Sequence, residues 1–351
     1  MKLKTIIISA REHKASDAHI LVGFPPMFRI SGDIVASRGG AVTAEQISGM
    51  LEDAMTPAQR ERLDKEWGVC VSVVVPEVGR ARVTVYKRNG QYELAVRMSE
   101  PVVRTRQELR LPAIVDDLAR KSHGLVLLTG PTGVGKTTTF HYMLDLINAE
   151  RAAKIITIED PVEYVHAFKR SIVVQQEMLT DVTSFTSALR HVLRQDPDVI
   201  GVGEMRDRDT IYTALMAAET GHLVIATLHT PGAVDVVQRL VSAFPEGEQS
   251  EVLYMLANSL QGVVAQQLLP RAVGKGQVLA CELLIATPAV RNHIRENAGH
   301  KLYSEIQAGA RHGMVTMDNA LLELYQRGEI SYDTTLGAAR HPENIKKAAS
   351  S

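Results

Sequence analysis

Residues 130–137 hold the side chains and glycines most able to do chemistry, because they fit the pattern G-x-x-x-x-G-K-[ST] without a mismatch. A predicted strand at 124–129 precedes the segment, and a helical run at 138–147 follows it. In that setting the glycines let backbone N–H groups converge on phosphate oxygens, and the helix N-terminus adds its positive dipole end. The segment therefore predicts a nucleoside triphosphate site.

Two side chains of this loop have distinct predicted roles. Lys136 can reach the β- and γ-phosphates, while the hydroxyl of Thr137 can bind Mg²⁺. The predicted phosphate-binding set is continuous and comprises Gly130, Pro131, Thr132, Gly133, Val134, Gly135, Lys136, Thr137 and Thr138. A phosphate loop by itself names no function, so other residues must narrow the chemistry.

Carboxylates follow two further strand-like runs, 154–158 and 199–202. The carboxyl ends of parallel strands form the edge at which ligands bind. We therefore expect Glu159 and Glu163 to orient water or Mg²⁺, and Glu204 to be the general base that polarises the attacking water. A solvated acidic turn, or a salt bridge from Glu204 to a nearby arginine, would give the same sequence pattern.

His222 and His229 flank a fourth strand-like run, 223–227. Two histidines at opposite ends of one short strand, with no cysteine beside them in the sequence, do not indicate a zinc site. His229, at the carboxyl end, is placed to sense the γ-phosphate, whereas His222 is placed for a structural role.

The composition limits the class of protein. The 351 residues are enough for two domains, and 45 % hydrophobic with 23 % charged residues is ordinary for a soluble globular protein. A formal net charge of −1 gives no indication of a nucleic-acid partner. The two cysteines, Cys70 and Cys281, lie far apart in apolar surroundings and indicate buried, reduced thiols.

The apolar run near the N-terminus is too short for the core of a signal peptide. Elsewhere, no apolar stretch approaches the roughly 20 residues that a membrane span needs. We therefore expect a cytoplasmic protein whose membrane association comes only through partners.

The sequence indicates two α/β domains joined by a linker. Residues 1–99 form a small domain, 100–112 a polar linker bracketed by prolines, and 113–351 a larger domain in which strands alternate with helices. The part after residue 288 is mainly helical. In the small domain we place strands at 19–22, 27–30, 69–75, 82–86 and 93–97 and a helix at 43–55.

Two local signals support these elements. Thr43, followed three residues later by Gln46, predicts a capping box at the start of the helix. The pair Asn89 and Gly90 predicts a tight turn between the last two strands of the small domain.

Four segments together resemble the secretion ATPase superfamily in sequence, order and spacing. They are 130–137, 158–163, 203–207 and 221–230, which are similar to that family's Walker A, Asp box, atypical Walker B and His box. Further similar segments at 15–19, 23–29 and 313–318 extend the resemblance nearly from end to end.

Within this superfamily the chain is most similar to the type IV pilus retraction ATPases. Residues 289–296 resemble the AIRNLIRE motif that is linked to retraction in that group, with His293 where leucine is common. Assembly ATPases of the superfamily usually carry a four-cysteine zinc site, and this chain has two cysteines.

The resemblance implies a fold and a set of ligands. It implies a PAS-like N-terminal domain, a RecA-like P-loop ATPase domain with a helical C-terminal part, and ATP with Mg²⁺ bound between the two domains. Arginines of the N-terminal domain reach the γ-phosphate in this family, and the matching positions here are Arg82 and Arg97. Arg80 also matches the pattern. The role of Arg88 stays open, because many relatives have their arginine two positions later.

The function implied is that of a homohexameric, ATP-hydrolysing motor that powers pilus retraction and twitching motility. Its partner would be an inner-membrane platform protein, and the motor would lie at the cytoplasmic face of that membrane. No nucleic acid would be involved. Three alternatives stay open at this point: a pilus-assembly or type II secretion motor, a nucleotide-binding accessory regulator, and a DNA-translocating motor. The sequence also leaves open whether the chain is the main retraction motor or a paralogue.

Overall fold

The computed structural model describes residues 2–30, 32–76, 78–98 and 102–349. The chain divides into two compact units. The first comprises Met1–Val103, Glu159–Ala167 and Gln175–Ser184, and the second comprises Arg104–Ile158, Phe168–Val174 and Phe185–Ser351. The start of the predicted linker, Glu100 and Pro101, lies outside the described residues. The sequence-based domain limits stay a prediction.

The N-terminal region forms an antiparallel sheet of six strands in the order β3-β2-β1-β6-β5-β4. Its elements are α1 (Leu3–Glu12), β1 (Asp17–Ile20), β2 (Met27–Ile30), β3 (Asp33–Ala36), α2 (Ala44–Ala54), α3 (Pro57–Glu66), β4 (Gly68–Val75), β5 (Gly79–Arg88) and β6 (Gln91–Met98). Ile7 of α1 and Ile47 of α2 are fully buried with Ile20 and Leu94 of the sheet, so the helices and the strands share one core.

Two local features of this domain are present as predicted from the sequence. The Thr43 hydroxyl accepts from the Gln46 backbone N–H and the Gln46 side chain accepts from that of Thr43, which confirms the capping box of α2. Asn89 and Gly90 have φ of 51° and 77° and join β5 to β6 in a hairpin, also as predicted. Helix α1, helix α3 and strand β3 were not predicted. All four residues of β3 are exposed, so it lacks the apolar alternation that marks a half-buried strand.

The later part of the chain contains seven strands and twelve α-helices among its described residues. The strands are β7 (Gly124–Thr129), β8 (Lys154–Glu159), β9 (Ile172–Glu177), β10 (Val199–Val202), β11 (Leu223–Thr227), β12 (Leu260–Pro270) and β13 (Gln277–Ile285). The first helices are α4 (Arg106–Leu109), α5 (Ile114–Ala119), α6 (Lys136–Glu150), α7 (Phe185–Val192), α8 (Arg208–Glu219), α9 (Asp235–Val241) and α10 (Glu246–Ser259). The C-terminal helices are α11 (Pro288–Arg295), α12 (Leu302–Ala308), α13 (Met317–Gln326), α14 (Tyr332–Ala338) and α15 (Pro342–Ala349), with short 3₁₀ helices at Gly299–Lys301 and Ala310–His312.

These seven strands form one sheet in the order β13-β12-β7-β11-β10-β8-β9. The pairs from β12 through β7, β11 and β10 to β8 are parallel, and β12 pairs with β13 antiparallel. Every residue of β7, β10 and β11 is buried, as expected for strands covered on both faces. The α/β class and the four predicted strands are confirmed, with β8 one residue longer than predicted. Strands β9, β12 and β13 were not predicted.

The C-terminal part is mainly helical from Pro288 onward, as predicted, with one isolated bridge between Val315 and Leu283. None of the helices in the described ranges combines the length and apolarity that crossing a membrane requires.

We predict opposite effects on stability for two glycine-to-alanine variants. In β10, a Cβ atom on Gly201 would lie 2.7 Å from Cζ of Phe140 and 2.9 Å from Cγ2 of Thr157. Gly201→Ala should therefore destabilise the protein by about 1–3 kcal/mol through overpacking.

The control for this variant is Gly247→Ala in α10, where a Cβ would meet no atom of the described residues within 4 Å. Alanine in a helix should add about 0.5–1 kcal/mol of stability. Thermal unfolding of both variants measures the effects. Equal melting temperatures in the two variants would contradict this packing at β10.

Candidate nucleotide site

The loop between β7 and α6 adopts a backbone conformation that needs glycine. Gly130, Gly133 and Gly135 have φ of 135°, 84° and 91°. At Gly130 a Cβ atom would lie 2.4 Å from the carbonyl oxygen of Gln266, which is too close for any side chain. Gly135 is the N-cap of α6 and has no side chain to accept from the first N–H groups of the helix, so those donors suit an anion.

Lys136 is the buried cation of this loop, with 7 % of its surface exposed. Its Nζ donates to the carbonyl oxygens of Gly130 at 2.7 Å and Pro131 at 2.8 Å, and lies 3.3 Å from Nδ1 of His229. Burial lowers the pKa of Lys136, and the charge of Glu204 partly offsets that effect. The ammonium is therefore held at the start of the helix, where phosphate oxygens could replace its present acceptors.

Glu204 and His229 meet beyond the ends of the neighbouring parallel strands β10 and β11. The Nε2 atom of His229 lies 3.2 Å from Oε1 of Glu204, and Arg206 contacts Oε2 at 2.7 Å. Burial raises the pKa of Glu204, but the hydrogen bond from Arg206 and the charges of His229 and Arg206 outweigh it, and the pKa lies below its usual value. Glu204 thus makes both a salt bridge to a nearby arginine, Arg206, and a contact with His229. The structure brings Lys136, His229 and Glu204 together.

The remaining predicted residues of the loop differ in exposure. Val134 is buried, Thr137 and Thr138 are partly buried in the first turn of α6, and Pro131, Thr132 and Gly133 are exposed. His222 lies apart from this group, with Nδ1 2.9 Å from the Ala217 carbonyl oxygen at the end of α8. Within the part of the chain that the structure describes, no group of three His, Cys, Asp or Glu side chains is arranged to hold a metal ion.

Two residues near the loop were missed by the sequence reasoning. The Thr129 hydroxyl lies 2.7 Å from the Thr230 carbonyl oxygen and accepts from its backbone N–H at 3.0 Å, which fastens the end of β7 to the segment after His229. The buried amide of Gln266 on β12 donates to the Thr139 hydroxyl of α6 at 2.9 Å. The available signal was a polar residue at the end of an apolar strand for Thr129 and inside one for Gln266.

The predicted carboxylates Glu159 and Glu163 belong to the first unit, in the segment Glu159–Ala167. Glu159 is buried, and its Oε1 accepts from Nε2 of Gln175 at 3.0 Å. The same Gln175 amide donates to the Tyr164 carbonyl oxygen at 2.8 Å and accepts from the His166 backbone N–H at 3.0 Å. Strand β9, which carries Gln175, thus fixes the backbone of the acidic segment.

Arg82 and Arg97 face each other across the β5–β6 pair of the first unit. Nε of Arg82 donates to Sγ of Cys70 at 3.0 Å. Burial opposes the charge of Arg82, but the contact with Cys70 and the carboxylates of Glu163 and Asp160 outweigh it and raise the pKa. The first unit therefore places Arg82 in the field of the acidic segment.

The cysteines and the other two arginines have separate environments. Cys281 is buried, as predicted, and burial raises its pKa to about 12. The prediction of a buried thiol is wrong for Cys70, which is partly exposed because it lies beside Arg82 and not in the core. Arg88 donates to Oε1 of the buried Glu93 at 2.7 Å, and Arg80 pairs with a different carboxylate, that of Glu177.

Comparison with known proteins adds to this geometry. The profile of the Type II/IV secretion system protein family matches residues 102–347. The chain belongs to this family. A relative described as the type IV pilus retraction ATPase PilT of Pseudomonas aeruginosa is 41 % identical over 345 residues, which cover 98 % of this chain and 100 % of that protein. The twitching motility protein of Neisseria gonorrhoeae is 42 % identical over 320 residues, covering 91 % of this chain and 86 % of that protein.

A solved structure resembles this chain over almost its whole length. The crystal structure of the pilus retraction motor PilT with bound ADP superposes with a TM-score of 0.91 at 42 % identity, covering 99 % of both chains. The predicted fold class, an N-terminal domain followed by a RecA-like ATPase domain, is thereby confirmed. As a member of the Type II/IV secretion system protein family, the chain is an ATPase.

We predict that Arg206→Ala moves the acidic limb of the ATPase pH profile to higher pH. Arg206 lowers the pKa of Glu204, so without Arg206 the carboxylate should take up a proton at a higher pH. If Glu204 is the general base expected from the sequence, the enzyme should then lose activity at a higher pH as the pH falls. The measurement is kcat as a function of pH. Arg208→Ala is the matched control, since Arg208 pairs with Glu248 instead. The same acidic limb in the Arg206 and Arg208 variants would show that Glu204 does not control it.

Proposed function

We propose that this ATPase is a Mg²⁺-dependent motor that retracts type IV pili. The observation that carries the hydrolysis in this proposal is the cluster of Lys136 at the start of α6 with His229 and Glu204 beyond the ends of β11 and β10, which joins a phosphate loop to a carboxylate. Support comes also from near full-length similarity to proteins described as a pilus retraction ATPase and a twitching motility protein.

In the proposed chemistry, the ATP phosphates bind in the loop 130–137. Phosphate oxygens then replace the Gly130 and Pro131 carbonyl oxygens as hydrogen-bond acceptors for the ammonium of Lys136. Glu204 accepts a proton from the attacking water, and its lowered pKa keeps the carboxylate ionised, which is the protonation state that a base requires. His229 lies between Lys136 and Glu204, so it is placed to respond to the γ-phosphate.

The hydroxyl of Thr137 is a hard oxygen donor of the kind that Mg²⁺ prefers. Thr137 follows Lys136 in the first turn of α6 and is partly buried, so the residues present fit the ion. When bound, Mg²⁺ would neutralise charge that develops on the phosphates.

The remaining proposed roles follow from the sequence. Glu159 and Glu163 support the arrangement of water and metal, and Arg82 and Arg97 stabilise charge on the γ-phosphate. The nucleotide state would then bias two arrangements of the chain and so convert hydrolysis into movement. We propose that six copies form a ring at the cytoplasmic face of the inner membrane and act on a pilus platform protein.

The AIRNLIRE-like segment forms α11, and its apolar side chains do not form an exposed stripe. Val290 and Ile294 are fully buried, and Arg291 donates to the carbonyl oxygens of Ala257 and Asn258 at the end of α10. The helix is thus packed into the second unit. A partner would have to contact its exposed polar residues, among them Asn292 and Arg295.

We predict that Glu204→Gln lowers kcat by ~10²–10⁴, because the general base is lost while the nucleotide contacts stay. ADP binding should be within twofold of the parental value. Steady-state turnover and fluorescent-nucleotide titration measure the two quantities. Glu251→Gln, which changes a carboxylate that pairs with Tyr212 on α8, is the control and should keep full activity. Parental turnover in Glu204→Gln would remove the proposed base.

The motor role is tested in a strain that lacks this gene, complemented with either the parental chain or Lys136→Ala. We expect surface pili in both strains and retraction with the parental chain alone, since Lys136 holds the phosphates. Absent pili in the deletion strain would instead indicate an assembly motor. Retraction restored by Lys136→Ala would indicate an accessory role that does not use ATP.

A further inference from the structure

Glu177, the last residue of β9, is a buried carboxylate whose side chain is 8 % exposed. Its Oε2 accepts from Nη1 of Arg80 at 2.7 Å and from the backbone N–H of Val162 at 3.1 Å. Its Oε1 accepts from the Thr180 hydroxyl at 3.2 Å. All four residues lie in the first unit. A charge buried in this way is tolerated only because it is paired and hydrogen-bonded.

The ion pair fixes the backbone immediately before a proposed site residue. Nη1 of Arg80 also lies 3.4 Å from the carbonyl oxygen of Val162, so the pair contacts both the N–H and the C=O of that residue. The next residue in the chain is Glu163. Its position is therefore set by contacts at Val162 that come from two distant parts of the sequence.

The pair also connects this backbone to the strand that carries Arg82. Arg80 and Arg82 are two residues apart on β5, so their side chains leave the same face of the strand. The carboxylates of Glu163 and Asp160 act on the charge of Arg82. Strand β5 thus holds Arg82 and, through Arg80 and Glu177, the acidic segment as well.

We propose that Arg80 is a positioning residue and does not bind the nucleotide, although its place in the sequence matches the phosphate-binding arginines. Together with Glu177 it keeps Glu163 and Arg82 at a fixed separation. The proposal rests on the proposed roles of Glu163 and Arg82, and it adds Arg80 and Glu177 to the residues that the reaction needs.

A double-mutant cycle on ATP turnover tests the proposal. Arg80→Gln and Glu177→Gln should each lower kcat by about 10–100-fold, the usual cost of losing a supporting contact behind a site residue. KM for ATP should change less than twofold. The variant with both changes should be no slower than either single variant, because the same contact is lost once. Replacing both charges with amides also avoids a buried unpaired charge.

Three results would overturn the proposal. A loss of about 10³-fold or more in Arg80→Gln, repeated in the Glu177→Gln background, would place Arg80 on the phosphates. An unchanged kcat in Glu177→Gln would show that the reaction does not need the contact between Arg80 and Glu177. A lower melting temperature with unchanged kcat in both single variants would make the pair purely structural.

A second readout separates this proposal from the proposed function. The Val162 amide hydrogen should exchange faster in Arg80→Gln and Glu177→Gln than in the parental chain, without nucleotide. Arg62→Gln is the control, since it removes an arginine–glutamate pair from the surface of α3. Unchanged exchange at Val162 would contradict the positioning role. A parental chain that fails to hydrolyse ATP would contradict the proposed function, while the exchange result would still decide the contact.

Discussion

The buried ammonium of Lys136 is the feature on which the rest of the nucleotide site depends. A cation withdrawn from water needs acceptors, and here the carbonyls of Gly130 and Pro131 supply them, with His229 close by. Because His229 also contacts Glu204, the phosphate loop and the ends of β10 and β11 form one connected set. Phosphate oxygens would accept hydrogen bonds from the same ammonium. Nucleotide binding would therefore be coupled to rearrangement of the contacts that Lys136 makes.

The buried carboxylates of the first unit likewise need hydrogen-bond donors. Glu159 accepts from Gln175, and Glu177 accepts from Arg80 and from the backbone of Val162, so β9 contributes to both arrangements. These contacts hold the acidic segment in a defined conformation. The proposed motor would therefore carry preformed groups for the reaction, which lowers the cost of organising them at each turnover.

Sequence reasoning succeeded where the signal was local. The loop 130–137 and the buried strands β7, β10 and β11 could be read from short patterns, because their glycine spacing and continuous apolar runs are compatible with few local structures. Strand β9 ends in Gln175, Gln176 and Glu177, and its polar residues concealed it. The partnership of Arg80 with Glu177 joins residues 97 positions apart, so only the folded chain reveals it. For the same reason, the family pattern grouped Arg80 with the phosphate-binding arginines.

The NMR signal of the His229 imidazole, assigned with a His229→Gln variant, tests the proposed site most directly during titration with ADP and with a non-hydrolysable ATP analogue. We expect a large shift with the analogue and a small one with ADP, since the γ-phosphate would enter between Lys136 and Glu204. Equal shifts with both nucleotides, or no shift with either, would contradict a hydrolysis site built on Lys136, His229 and Glu204.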